Sequence, residues 1–183
     1  ANDPLRLSRR VPELLERLKI RISLHAPDVL VISGDLLDVP SSVLAGVSPD
    51  DRSLSEWESD INSDLNFIKE WLIGCGIPYV VVPGNNDDET SFAQIFGKPS
   101  TPLDIAGLRF FCFWDKLSSA QQPYRNETDT KYFDSAILDI EHDCPQVHVH
   151  HYMIHPPIFA KNKHYQYTNA DYLRKLIEES GRV

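Results

Sequence analysis

Two short, β-branched apolar runs, each closing on a glycine followed at once by a carboxylate or carboxamide, constrain this chain more than any other feature. Residues 28–33 lead into Gly34-Asp35, and residues 77–82 lead through Pro83 into Gly84-Asn85-Asn86-Asp87-Asp88. Runs apolar at successive positions leave neither face for water, so they predict central parallel strands covered by helices on both sides. The sequence between them supplies a helix. Ser53 and Ser55 each have a glutamate three residues later, Leu54, Trp57, Ile61, Leu65, Ile68 and Trp71 form one stripe, and Gly74 and Gly76 end it. Upstream, Val11, Leu14, Leu15, Leu18 and Ile22 recur at helical spacing over residues 11–24, with Pro12 suited to a first turn. Residues 39–52 read as a loop, residues 108–113 and 147–154 as further strands, and a last helix is predicted after Thr168. Thr168 and Asp171 form its capping pair, and Gly181 stops it. Helices alternating with buried strands predict an α/β layered fold, as one domain over residues 1–183.

Composition narrows the function classes. With 18 Lys and Arg against 27 Asp and Glu, the net charge of -9 excludes nonspecific nucleic-acid binding by bulk phosphate attraction. Cys75, Cys112 and Cys144 show no CxxC or CxxH spacing, which predicts free thiols and a reducing, cytoplasmic setting. The acceptor pattern Asn126-Glu127-Thr128 is the one feature that leaves a secretory compartment open. No stretch approaches the roughly 18 to 20 apolar residues a membrane span needs, and the first residues lack the apolar block of a signal peptide. A soluble protein without a membrane span is expected. The chain starts at Ala1 without Met, as a processed or excised segment would.

In open α/β sheets, ligand groups gather in the loops at the carboxyl ends of strands. Three polar clusters fall at such ends: Asp35 and Asp38 after the first run, Asn85, Asn86 and Asp87 after the second, and His155, held extended by Pro156, after residues 147–154. A carboxylate presented beyond a glycine turn suits a hard or borderline cation, although an Asp there also caps turns. His148, His150 and His151 nearly alternate along the expected strand, so most of them read as structural. Residues 40–53, and Trp114, Lys116, Tyr124 and Arg125 within residues 110–132, could line a pocket or belong to the core.

The order GDxxD, then GN with a following acid, then His-Pro, each after a buried strand, resembles the calcineurin-like metallophosphoesterase superfamily, which includes serine/threonine phosphatases, purple acid phosphatases and cyclic nucleotide phosphodiesterases. The resemblance spans residues 28–159. It implies a layered sheet fold flanked by helices, incomplete at both ends, and a hydrolase of phosphate esters, phosphodiesterase or phosphatase, using a metal-activated hydroxide. It also implies two divalent metal ions, Mn, Fe or Zn. Asp35 would bridge the two, Asn85 and His155 would bind the second, and Asp38 and Asp87 would support them. The substrate would be a small phosphate ester or nucleotide. Two motifs of the superfamily, Asp-x-His at the start and Gly-His-x-His at the end, have no counterpart here, as expected of a segment cut from a longer protein. Asn86 stands where the commonest pattern has a histidine that protonates the leaving group; an amide cannot do this near neutral pH. These departures leave a second expectation: a degenerate relative that retains the fold as a protein-interaction module. No Gly-x-Ser-x-Gly elbow, Gly-rich phosphate loop or GxGxxG points to another hydrolase or nucleotide-binding class.

Overall fold

The computed structural model describes residues 10–98, 101–154 and 165–181. The first helix, α1 (Val11–His25), carries Pro12 in its opening turn and stops at Ala26, whose left-handed backbone (φ 42°) returns its N–H to Ile22 O. The long helix α3 (Leu54–Gly74) starts at the predicted capping box. Ser53 Oγ accepts from Glu56 N at 3.3 Å, while Ser53 N donates to Glu56 Oε2 at 2.8 Å. Ile61, Leu65, Ile68 and Trp71 of its stripe are buried together with Leu72. Ile22 packs α1 against Ile68, Trp71 and Leu72 of α3. Between these helices the expected loop contains a single helical turn, α2 (Ser41–Leu44), entered from Pro40.

Strands β1 (Leu30–Ile32) and β2 (Tyr79–Val81) pair in parallel, Leu30 opposite Tyr79 and Ile32 opposite Val81. Leu30 and Ile32 face the α1–α3 cluster, whereas Val31, of opposite parity, stays 46% exposed. Full cover of β1 on both faces was the expectation; among the described residues only one face has a helical cover.

Helix α4 (Glu89–Phe96) follows the second polar loop directly, capped by Asp88, whose Oδ1 accepts from Ser91 N at 2.8 Å. A second sheet has the order β3-β4-β7. β3 (Leu103–Ile105) and β4 (Leu108–Cys112) form a hairpin across Ala106 and Gly107, both at positive φ, and β7 (Gln146–Val149) runs parallel to β4. β4 is covered on both faces. Phe110 and Cys112 enter a cluster with Val80, Val82, Leu65 and Phe92, while Phe111, with Phe113 just beyond, enters another with Phe133, Tyr152 and Leu173. The small pair β5 (Lys116–Leu117) and β6 (Pro123–Tyr124) precedes α5 (Glu127–Ile137). Asn126 caps that helix: its Oδ1 accepts from Asp129 N at 2.9 Å and its Nδ2 donates to Asp129 Oδ2 at 3.1 Å. The sequon thus has a structural use. The last helix, α6 (Ala170–Ser180), begins near the predicted place without the predicted cap, because Thr168 Oγ1 donates instead to Pro123 O at 3.2 Å. Among the described residues, no helix is long and apolar enough to cross a membrane.

Candidate metal centre

The polar loops leaving β1, β2 and β7 meet. Their contact depends on two glycines. A Cβ on Gly34 would lie 2.5 Å from Gly84 N and 2.8 Å from His151 Nδ1, and a Cβ on Gly84 would overlap Asp35 Oδ1 and the Asp35 amide. Gly34 also takes a φ of 101°. Asp35 follows in the left-handed region at φ 55°, a conformation that costs an L-residue free energy and persists only when neighbours over-determine it.

Asp87 ties the loops together. Its Oδ1 accepts from Leu37 N at 2.8 Å, and its Oδ2 accepts from Leu36 N at 3.3 Å and Gly84 N at 2.8 Å. Burial raises the Asp87 pKa, these three amides pull against that shift, and the Asp35 charge adds to it. Val39 N donates to Asn86 O at 3.1 Å, a further stitch between the loops. The carboxylate of Asp35 is gripped from one residue: Oδ1 accepts from Asn86 N and Oδ2 from Asn86 Nδ2, each at 3.0 Å.

His151 completes the cluster. Its Nδ1 lies 2.7 Å from Ser33 O, an acceptor, so Nδ1 carries a proton and donates it there. That Nε2 faces Asn85 Oδ1 at 3.2 Å and Asp35 Oδ2 at 3.6 Å. Nε2, Asn85 Oδ1 and Asp35 Oδ2 therefore converge, and in the tautomer with its proton on Nδ1 alone all three would be electron-pair donors, an arrangement that a cation, or a second proton on the ring, would relieve.

Of the sequence-predicted residues, Asp35 and Asn85 come together, Asn86 and Asp87 touch the same loops, and Asp38 lies along the adjoining cleft. His155 lies outside the described residues. His151 is the residue that sequence reading passed over, and the reason is geometric. Alternation along a strand was assumed over residues 147–154, but β7 ends at Val149, so His151 stands in the loop and turns to the other two. A histidine doublet placed directly after a short β-branched run was the available signal. His148, inside the strand, is half-buried against Phe111, Phe113 and Phe133, and desolvation lowers its pKa to about 3. His150 is half-buried too, its Nδ1 bonded to Tyr152 O.

Beside Asp35 opens a cleft of about 580 Å³ walled by Trp57, Ile61 and Phe67 and edged by Asp38, Asp60 and Asp64. Arg52 stacks on the Trp57 ring at 4.2 Å, so the 40–53 segment approaches the cleft at Trp57. The 110–132 segment behaves otherwise: Trp114 and Arg125 are buried and Lys116 pairs with Glu89.

The family model of calcineurin-like phosphoesterases matches residues 6–183. The chain belongs to that family. A solved crystal structure, 18% identical, matches 92% of this phosphoesterase chain and 76% of its own at a TM-score of 0.54, which establishes a shared fold. None of the curated proteins compared with it matches.

Members of the family bind divalent metals, and the residues present can be tested for that task. Among the described residues, no three His, Cys, Asp or Glu side chains are grouped as a metal site. The third donor here is an amide, Asn85 Oδ1, alongside one carboxylate and one imidazole. A mixed O,O,N set fits Mn, Fe or Zn, and the Ser33 carbonyl fixes the ring tautomer that leaves Nε2 free to bind.

Proposed function

We propose that this phosphoesterase hydrolyses phosphate esters, small phosphodiesters, phosphomonoesters or nucleotides, with a divalent cation held by Asp35, Asn85 and His151. The observation that carries the reading is the convergence of His151 Nε2, Asn85 Oδ1 and Asp35 Oδ2 at the loop ends, with Nδ1 of the same ring held on the Ser33 carbonyl. Bound divalent cations supply phosphoryl polarisation and a lowered water pKa in such sites. The rest is the work of this chain. Asp35 contributes the single negative charge among the three donors, so Asn85 and His151 offset little of a cation's electrophilicity. Asp87, buried beneath, fixes both loop roots, and Gly34 and Gly84 let them approach. The organic part of the ester would lie along the Trp57 and Phe67 wall of the cleft. The cysteines are unpaired, in keeping with a reducing compartment.

The test is metal content together with Mn-stimulated hydrolysis of an aryl phosphodiester, on this chain and on the longest natural product of its gene. Bound metal and turnover, both lost in Asp35→Asn, are expected. A pure preparation that holds no metal and turns over nothing would sink the reading in favour of a protein-interaction module.

A further inference from the structure

Asn86 occupies a turn, where asparagine is common because it tolerates left-handed backbone and bonds its own main chain. Neither reason operates here. Asn86 is absent from the positive-φ residues, and among the described residues its carboxamide bonds Asp35, on the other loop. We infer that Asn86 is a positioning residue for Asp35: its backbone N–H and carboxamide together clamp both oxygens of that carboxylate and set its plane for a cation. The inference rests on the metal-site reading of Proposed function.

Three features of Asp35 make such a clamp useful. Its side chain is 35% exposed, it follows a glycine, and its own backbone is in the left-handed region, so packing alone does not fix its rotamer. Two donors from one neighbour form a planar fork like the one a guanidinium makes, yet carry no charge. An arginine or an imidazolium in that position would compensate the carboxylate and compete with the metal; a carboxamide leaves the full negative charge available. Each carboxylate oxygen has two lone-pair sites, and the fork uses one on each, so one per oxygen remains for ligation.

Asn86→Ala separates the two halves of the clamp. The backbone donor to Oδ1 is kept and the carboxamide donor to Oδ2 is removed. Titration of the full chain with Co²⁺, followed by its visible absorption, should show affinity weaker by about 10- to 100-fold, the range typical of lost partners to metal ligands. Unchanged affinity would reduce Asn86 to a turn residue, and tighter affinity would make it a competitor of the metal; either overturns the clamp. A second readout needs no metal. In the metal-free protein, one Asn86 side-chain amide proton should be protected from solvent exchange, and that protection should be lost in Asp35→Ala. If wild type takes up no Co²⁺, the metal-site reading fails, and an Asn86 side-chain amide that exchanges with solvent as fast in wild type as in Asp35→Ala would sink the clamp on its own account.

Discussion

His148 and His151 stand three residues apart in one segment and meet opposite surroundings. His148 lies within β7, its ring 5.2 to 5.7 Å from those of Phe111, Phe113 and Phe133, and its Nε2 meets Gln146 Oε1 at 3.1 Å. His151 lies past the strand end, half-buried, with its Nε2 turned towards two oxygens. The difference extends to the polar groups around each. Below the strand, Arg125 and Asp115 are buried as a pair, Nε to Oδ1 at 3.2 Å, with the guanidinium stacked on Phe113 at 3.8 Å and Phe133 at 4.7 Å. There a cation and an anion already answer each other. At the strand ends a carboxylate, an amide oxygen and an imidazole face one another with no lysine or arginine among them. In the aromatic region charge is balanced within the fold, although Arg125 Nη1 and Nη2, Asp115 Oδ2 and His148 Nδ1 find no hydrogen-bond partner among the described residues; at the loops, on the reading proposed above, the balance comes from a bound cation.

The largest effect should come from breaking the completed pair. Arg125→Met leaves Asp115, whose side chain is fully buried, without its cation, and should destabilise the fold by about 3–5 kcal/mol in urea denaturation. Arg125→Met combined with Asp115→Leu should recover most of that loss, since replacing a buried pair by apolar groups is often near neutral. Co²⁺ affinity of the double variant should equal wild type; a fall would mean the two regions are coupled and the comparison is too sharp. The mirror experiment is Gly84→Ala, which forces the β2 loop off Asp35 and should abolish metal binding. Its stability loss, about 1–3 kcal/mol for overpacking, should leave the near-UV circular dichroism of the aromatic region in place.

How much of this was readable beforehand differs between the two regions for physical reasons. Short apolar runs closed by Gly34-Asp35 and Gly84-Asn85 announce a strand-to-loop site because periodicity and glycine placement are local properties, and the capping box at Ser53 is local too. The aromatic region depends on partners far apart in sequence. Helix α5 went unpredicted although Asn126 caps it, because its sequence was weighed as a sequon, and α4 was hidden behind a loop already rich in turn residues. Arg125 could be assigned to pocket or core only once Asp115, Phe113 and Phe133 were seen around it. His151 was missed for the opposite reason: the rule applied to it was local, and it held only as far as Val149.

A smaller effect is expected from Asp87→Asn. One amide oxygen would have to serve Leu36, Leu37 and Gly84, while its NH₂ faced donors, which should cost about 1–3 kcal/mol and weaken Co²⁺ binding through the loosened loops. Metal affinity unchanged in a folded Asp87→Asn protein would show that the loops hold their positions without it.

The smallest effect, and the one that separates the two histidines most directly, is in pH dependence. Burial, the Arg125 charge and His150 lower the His148 pKa from 6.5 to about 3, so between those values the unfolded chain takes a proton that the folded chain refuses. Stability from this residue is therefore complete above pH 6.5 and falls as pH drops through the window towards 3, by up to about 1.4 kcal/mol per pH unit. His148→Phe removes the titration and keeps a ring among the three phenylalanines, at the loss of the Gln146 contact. Urea midpoints measured between pH 6.5 and 5 should fall less steeply in the variant, with a residual slope from His150, whose pKa burial also lowers. An unchanged slope would mean that His148 takes up its proton without leaving the fold. The aromatic region would then have to accommodate a second cation beside Arg125, and the contrast between a histidine held neutral by packing and one turned towards a ligand would fail at this residue.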